Sequence, residues 1–163
     1  MRVRHLPGAV PVALHQRCRR ALEQATWRLD TVTGASFRFE TSDLVIPELD
    51  LWLQDTLAQQ AELPSPLRMS WKRLTADRTH RFPWHRDHRK GGAVGVVVNL
   101  SRAPVDGGVF EGRLRWETEP AVRICSAPRD VHLFSVDDPH WVHRVTPVRG
   151  AVAREVYAGW AGG

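Results

Sequence analysis

Two short stretches carry side chains able to hold a metal ion between them. In Pro83-Trp84-His85-Arg86-Asp87-His88, His85 and Asp87 are two apart, so on a strand they point to the same face. An imidazole and a carboxylate so placed can share one ion. In His140-Trp141-Val142-His143-Arg144-Val145-Thr146-Pro147-Val148, His143 shares a face with Trp141 and Val145. If that face lines a barrel interior, His143 supplies a third ligand. Two His and one carboxylate on one side of an ion leave the other side open, the facial arrangement that non-haem Fe(II) uses for oxygen chemistry. The plain alternative is a surface histidine beside a surface acid, because eight His in 163 residues produce such pairs by chance. His88 and His140 compete as ligands but face away from His85 and His143 on regular strands.

The elements that must position these groups follow from periodicity. Residues 11–28 carry Leu14, Cys18, Leu22 and Ala25 at helical spacing behind Pro11, which predicts an amphipathic helix with a basic outer face. Ser36-Phe37-Arg38-Phe39-Glu40 alternates like a strand. Pro47 opens a second helix, with Leu49, Trp52, Leu53 and Leu57 as its apolar stripe, stopped by Leu63-Pro64-Ser65-Pro66. Residues 1–9 read as a terminus. From Glu40 to Glu62 there are acids but no Lys or Arg, so the basic first helix and the acidic second segment are expected side by side. Beyond Pro66 come short apolar or alternating runs at 67–75, 81–87, 93–100, 108–118, 121–125, 131–136, 140–148 and 151–160. About eight strands at that spacing predict an antiparallel sandwich or barrel. With two Greek keys this is a jelly roll, the cupin-like double-stranded β-helix: a mainly β (α+β) fold with N-terminal helices packed on one sheet. The expected organisation is a single domain over 1–163, with 1–66 as helical support and 67–160 as the core.

Composition narrows the function classes. The formal net charge is +5, and of 23 basic residues only Lys72 and Lys90 are lysines. Arg suits bidentate contact with carboxylate or phosphate, so an anionic ligand or an acidic carrier partner fits, although a solvated Arg surface accounts for most positions. No apolar run approaches the ~18 residues of a membrane span. Cys18 and Cys125, the only cysteines, form no CxxC pair and suit a reducing, cytoplasmic setting.

The order of motifs resembles the Fe(II)/2-oxoglutarate-dependent dioxygenases of the prolyl-hydroxylase-like group. It is carried by His85-Arg86-Asp87, the strand from Val94 to Asn99-Leu100, and Gly107-Gly108-Val109-Phe110. It continues with His143-Arg144-Val145-Thr146-Pro147-Val148, Gly150, Arg154 and Trp160. The resemblance covers about residues 67–160. It implies His85, Asp87 and His143 as iron ligands. Arg154, 11 residues beyond His143, is implied to hold the distal carboxylate of 2-oxoglutarate through its guanidinium fork. Asn99 is a candidate contact to the other carboxylate, or a strand-end Asn satisfying a turn. Where many relatives place a hydroxyl two residues after this Arg, the chain has Val156, leaving Ser70, Thr75 or Trp71 to assist. Trp84, Arg86 and Trp141 flank the ligands as candidate substrate contacts, or pack between strands.

What the resemblance implies is O2-dependent decarboxylation of 2-oxoglutarate coupled to hydroxylation of a C–H bond. Relatives that halogenate carry a small residue at the carboxylate position, so Asp87 implies hydroxylation, or a related desaturation or cyclisation. Short loops suit a substrate that covers the opening: an amino acid residue, a peptide or a carrier-tethered amino acid, with a free small metabolite as the alternative. Lys90-Gly91-Gly92 reads as a loop beside that opening. Three rivals remain. A cupin-like metal protein of another reaction class is opposed by Arg154 and the His143-to-Val148 context. Nucleic-acid demethylation is opposed by the spacing of Arg149 and Arg154 and the lack of an aromatic-rich lid. A non-catalytic binding module is opposed by the intact triad.

Overall fold

The computed structural model describes residues 3–87 and 93–163; His88 and the Lys90-Gly91-Gly92 loop lie outside them. Strand β1 (Val3–Leu6) leads to helix α1 (Val12–Glu23), the short strands β2 (Arg28–Leu29) and β3 (Glu40–Thr41), and helix α2 (Pro47–Trp52). A π-helical turn (Leu53–Leu57) carries α2 into α3 (Ala58–Gln60). Eight strands follow: β4 (Leu67–Leu74), β5 (Phe82–His85), β6 (Val94–Asn99), β7 (Phe110–Leu114), β8 (Val122–Ile124), β9 (Val131–Ser135), β10 (Trp141–Val145) and β11 (Arg154–Ala161). They fall within the eight runs expected from sequence, apart from Ala161 at the end of β11.

The strands form two antiparallel sheets, one ordered β1-β9-β6-β11-β4-β3-β2 and the other β5-β10-β7-β8. This is the double-stranded β-helix. The helices cover the outer face of the larger sheet, where Leu14, Cys18 and Leu22 of α1 and Leu49, Leu53 and Leu57 join Trp71, Val96, Val98 and Leu133 in one buried cluster. Arg17 of α1 pairs with Glu48 of α2, so the basic and acidic segments do lie side by side. Between the sheets, Val97, Phe110, Phe134, Val156 and Ala158 form a second cluster. The period of two sorts β11 between these layers: Val156 and Ala158 point inward, while Glu155 pairs with Arg19 at 3.1 Å and Tyr157 donates to Asp50 at 3.1 Å on the helix side.

Two edge strands were not foreseen. The segment read as a terminus contains β1, which pairs with β9 from Val3↔Phe134 to Leu6↔Val131; His5 and the backbone N–H of Gly8 anchor it on Asp130. β2 pairs Arg28 and Leu29 with β3. The alternating 36–40 segment makes only a bridge, Arg38↔Arg81, before pairing begins at Glu40.

Close packing of β11 on β4 leaves no room at Gly159, where a Cβ would stand 1.8 Å from the backbone oxygen of Arg68. Backbone cannot yield as a flexible side chain can. Gly159→Ala is therefore expected to lower stability by about 3 kcal/mol, read as a melting temperature roughly 6–12 °C lower.

Candidate metal centre and its cavity

The site is built where β5 meets β10. His143 lies directly opposite His85, and the register then shifts so that Val145 faces Phe82. The irregularity places an extra residue in the Pro83-Trp84 segment of β5, as bulges beside functional sites do. It turns both Phe82 and His85 inward, where Phe37 and Phe82 pack edge-on against the His85 ring with centroids 4.9 and 5.0 Å away. His143 is held by Phe134 at 4.6 Å and Phe110 at 5.5 Å.

His85, Asp87 and His143 converge, with ligand atoms all within 4.8 Å of one another. His85 Nε2 is 3.5 Å from Asp87 Oδ1, and His143 Nε2 is 3.7 Å from Asp87 Oδ2. Ligands ~2.1 Å from a shared ion at right angles lie ~3 Å apart, so small shifts would close this set on one ion. His85 Nδ1 lies 2.7 Å from the carbonyl oxygen of Pro83. The proton of the neutral ring then sits on Nδ1, and Nε2 offers its lone pair to the site. Trp160 donates its indole N–H to Asp87 Oδ2 at 2.9 Å and so orients the carboxylate.

The protonation states suit a cation. Burial pushes the Asp87 carboxyl up, but His85, His143 and the Trp160 indole outweigh it and hold the group well below the usual carboxylate range. Burial, joined by the positive charge His85 would carry, depresses His143. At neutral pH the site is an ionised carboxylate with a neutral His143, the ligand forms that metal binding requires.

A cavity of about 60 Å³ runs from this triad between the sheets, walled by Phe82, Val97, Phe110, Val156 and Ala158. Arg154 lines it and is only 5 % exposed. Burial lowers its pKa to about 10, which leaves it charged at neutral pH. Among the described residues no carboxylate pairs with it. A buried charge without a partner is costly, so the guanidinium fits an anionic ligand that the chain does not supply. Gly108, at φ +61°, makes room for it: a Cβ there would stand 2.8 Å from Arg154 Cδ.

Other expected contacts are placed elsewhere. The amide of Asn99 is spent in a turn, donating to Ser126 O and Oγ at 3.0 Å each and accepting from the N–H of Ser101. It does not line the triad cavity, but with Arg154 it lines a neighbouring one. Trp84 lies on the outer face of the smaller sheet, between the guanidinium groups of Arg113 at 4.2 Å and Arg144 at 4.7 Å; one residue from His85, it necessarily faces away. Arg86 donates to the carbonyl of Pro139 at 3.1 Å. Trp141 is buried over Gly112, where a Cβ would stand 2.1 Å from its ring, and does not line the cavity. Ser70 accepts from Lys72, Thr75 contacts His80, and Trp71 donates to Leu44 on the helix side. His140 packs beside Trp116 at 5.1 Å.

Lys72 was missed. It lines the cavity, its ammonium donating to Ser70 Oγ at 2.8 Å and to the Ala158 carbonyl at 3.4 Å. Burial lowers its pKa to about 8, opposed by Asp30 and Asp87 and reinforced by Arg154. Its signal was its phase with Ser70 on β4, opposite Val156 in register.

No protein-family model matches the chain, and no curated protein matches it. Solved structures do. A prolyl hydroxylase from Trichoplax adhaerens in complex with a hypoxia-inducible-factor peptide fragment aligns with TM-score 0.73 at 14 % identity, over 98 % of this chain and 82 % of that one. A prolyl-4-hydroxylase from Pseudomonas putida aligns with TM-score 0.66 at 16 % identity, over 98 % and 91 %. HygX from Streptomyces hygroscopicus, with nickel, 2-oxoglutarate and hygromycin B bound, aligns with TM-score 0.61 at 17 % identity, over 98 % and 82 %. The chain has the fold of these proteins across nearly its whole length.

The Trp160–Asp87 contact yields a test by calorimetric titration with Co(II). Trp160→Phe keeps the ring and loses the donor, and is expected to weaken metal binding about 10–100-fold. His143→Ala is expected to abolish binding measurable at the wild-type affinity.

Proposed function

We propose that this protein is an Fe(II)- and 2-oxoglutarate-dependent oxygenase that hydroxylates a C–H bond of an amino acid, presented as a peptide residue, tethered to a carrier, or free. The observation that carries the reading is the pairing, in one narrow cavity, of a two-His, one-carboxylate cluster with a buried arginine that no carboxylate of the described residues pairs. A structural metal site would be closed by a fourth protein ligand; the described residues bring three. Of the structures sharing this fold, one holds 2-oxoglutarate with nickel and another a peptide fragment.

Bound Fe(II) would supply the redox chemistry, in which O2 oxidises 2-oxoglutarate to succinate and carbon dioxide while one oxygen atom enters the substrate C–H bond. The chain's part is positional. His85, Asp87 and His143 would occupy one face of the ion and leave the opposite face for other ligands. Arg154 would hold the far carboxylate with parallel charge-assisted bonds, fixing how far the keto end reaches towards the triad. Val97, Phe110, Val156 and Ala158 exclude water from the reacting groups. The free thiols Cys18 and Cys125 fit the reducing cytoplasm. Among the described residues no helix is long and apolar enough to cross a membrane.

Succinate release from 2-oxoglutarate tests this reading. The wild type is expected to form succinate only with Fe(II) present, and Asp87→Ala is expected to form none. Arg154→Met removes the charge-assisted pair, worth about 1.5–3 kcal/mol. It is expected to raise the 2-oxoglutarate KM roughly 10–150-fold, with metal affinity retained.

A further inference from the structure

The walls of the triad cavity carry two cations, Lys72 and Arg154, against one carboxylate, Asp87. On the reading proposed above, a divalent ion adds two positive charges and 2-oxoglutarate removes two. One surplus positive charge remains in a cavity whose other walls, apart from the two histidines, Trp160 and Gly159, are Leu, Val, Phe and Ala, where an uncompensated charge is costly. Arg154 accounts for the cosubstrate, so the surplus sits on Lys72. No carboxylate of the described residues lies within ion-pair distance of it, Asp30 and Asp87 act on it only at longer range, and its hydrogen-bond partners are neutral, Ser70 Oγ and the Ala158 carbonyl.

Lys72 also stands at a junction. A second cavity, about 390 Å³ in volume, shares it as a wall and is lined by the polar groups of Asp30, Thr33, Thr41, Ser42 and Ser70. The Asp30 carboxylate accepts from the backbone N–H groups of Val32 and Thr33, and among the described residues no cationic side chain lies within ion-pair distance of it. Asp43, in the same cavity, is already paired with Arg28. One available cation at the inner end and one available carboxylate further out complement a zwitterion.

We propose that the primary substrate is a free amino acid, its carboxylate on Lys72, its ammonium on Asp30 and its side chain directed at the triad. This inference rests on the oxygenase reading and narrows it: an internal peptide residue or a carrier thioester has no free carboxylate to neutralise Lys72. The residue determines specificity through charge, since a neutral ligand would leave the ammonium unpaired.

The test uses the full chain loaded with Zn(II) and 2-oxoglutarate, so that binding is read without turnover. A pool of free L-amino acids, the same pool as carboxamides, and an N-acetylated prolyl peptide amide are compared by thermal melting. The responding compound is then titrated by calorimetry. Free acids are expected to raise the melting temperature and the amides not to. Lys72→Met should weaken the responding acid at least roughly tenfold, the loss of one charge-assisted bond, while Lys72→Arg retains most of the affinity. Melting of the unloaded variants checks that each is folded. Equal responses to acids and amides, a tighter response to the blocked peptide, or none to any free acid overturns the proposal. Wild-type protein that takes up Zn(II) and 2-oxoglutarate but does not discriminate acid from amide refutes only this inference. Protein that takes up neither refutes the oxygenase reading with it.

Discussion

The site depends on strand register. β11 and β10 each have one face committed before any ligand chemistry is considered. On β11, Glu155 and Tyr157 bond to the helical layer while Val156 and Ala158 fill the space between the sheets. A slip of one residue would exchange these faces, putting Arg154 under the helices and carrying Trp160 away from Asp87. On β10, Trp141, His143 and Val145 are buried on the inner face, and the bulge in β5 brings His85 opposite His143. Hydrophobic sorting thus selects the register, and the register delivers the imidazoles, the carboxylate and the guanidinium to one cavity.

Within that frame, charge governs. Two cations, the buried Arg154 and the half-buried Lys72, stand on the cavity walls, and no carboxylate of the described residues lies within ion-pair distance of either, although acids are used freely elsewhere: Glu111 is buried against Arg144 and Arg123, and Glu155 against Arg19. On the proposed reading, the ligands supply the negative charge that these two cations face.

Much of this was legible in the sequence because it follows from periods of two. The eight strands, the inward phase of Arg154 and the shared face of His85 and Asp87 need only alternation, and Tyr157 was already on the opposite face. What was not legible depends on partners distant in sequence. β1 is an ordinary exposed tetrapeptide until β9 and Asp130 receive it. Asn99 is in the inward phase, but Ser126, from a loop 27 residues away, claims its amide. Trp84 was weighed by its nearness to His85 rather than by its parity, which sends it outward. Lys72 looked like a surface residue because nothing local shows that β11 and the Phe39 ring, 5.9 Å away, close around it.

The most direct measurement is anomalous diffraction from a crystal grown with Fe(II) under anaerobic conditions and soaked with 2-oxoglutarate. One iron peak bonded to His85 Nε2, His143 Nε2 and an Asp87 carboxylate oxygen is expected, with the far carboxylate of the cosubstrate on Arg154. Iron on other side chains, or a cosubstrate bound with Arg154 still facing no anion, would contradict the oxygenase reading.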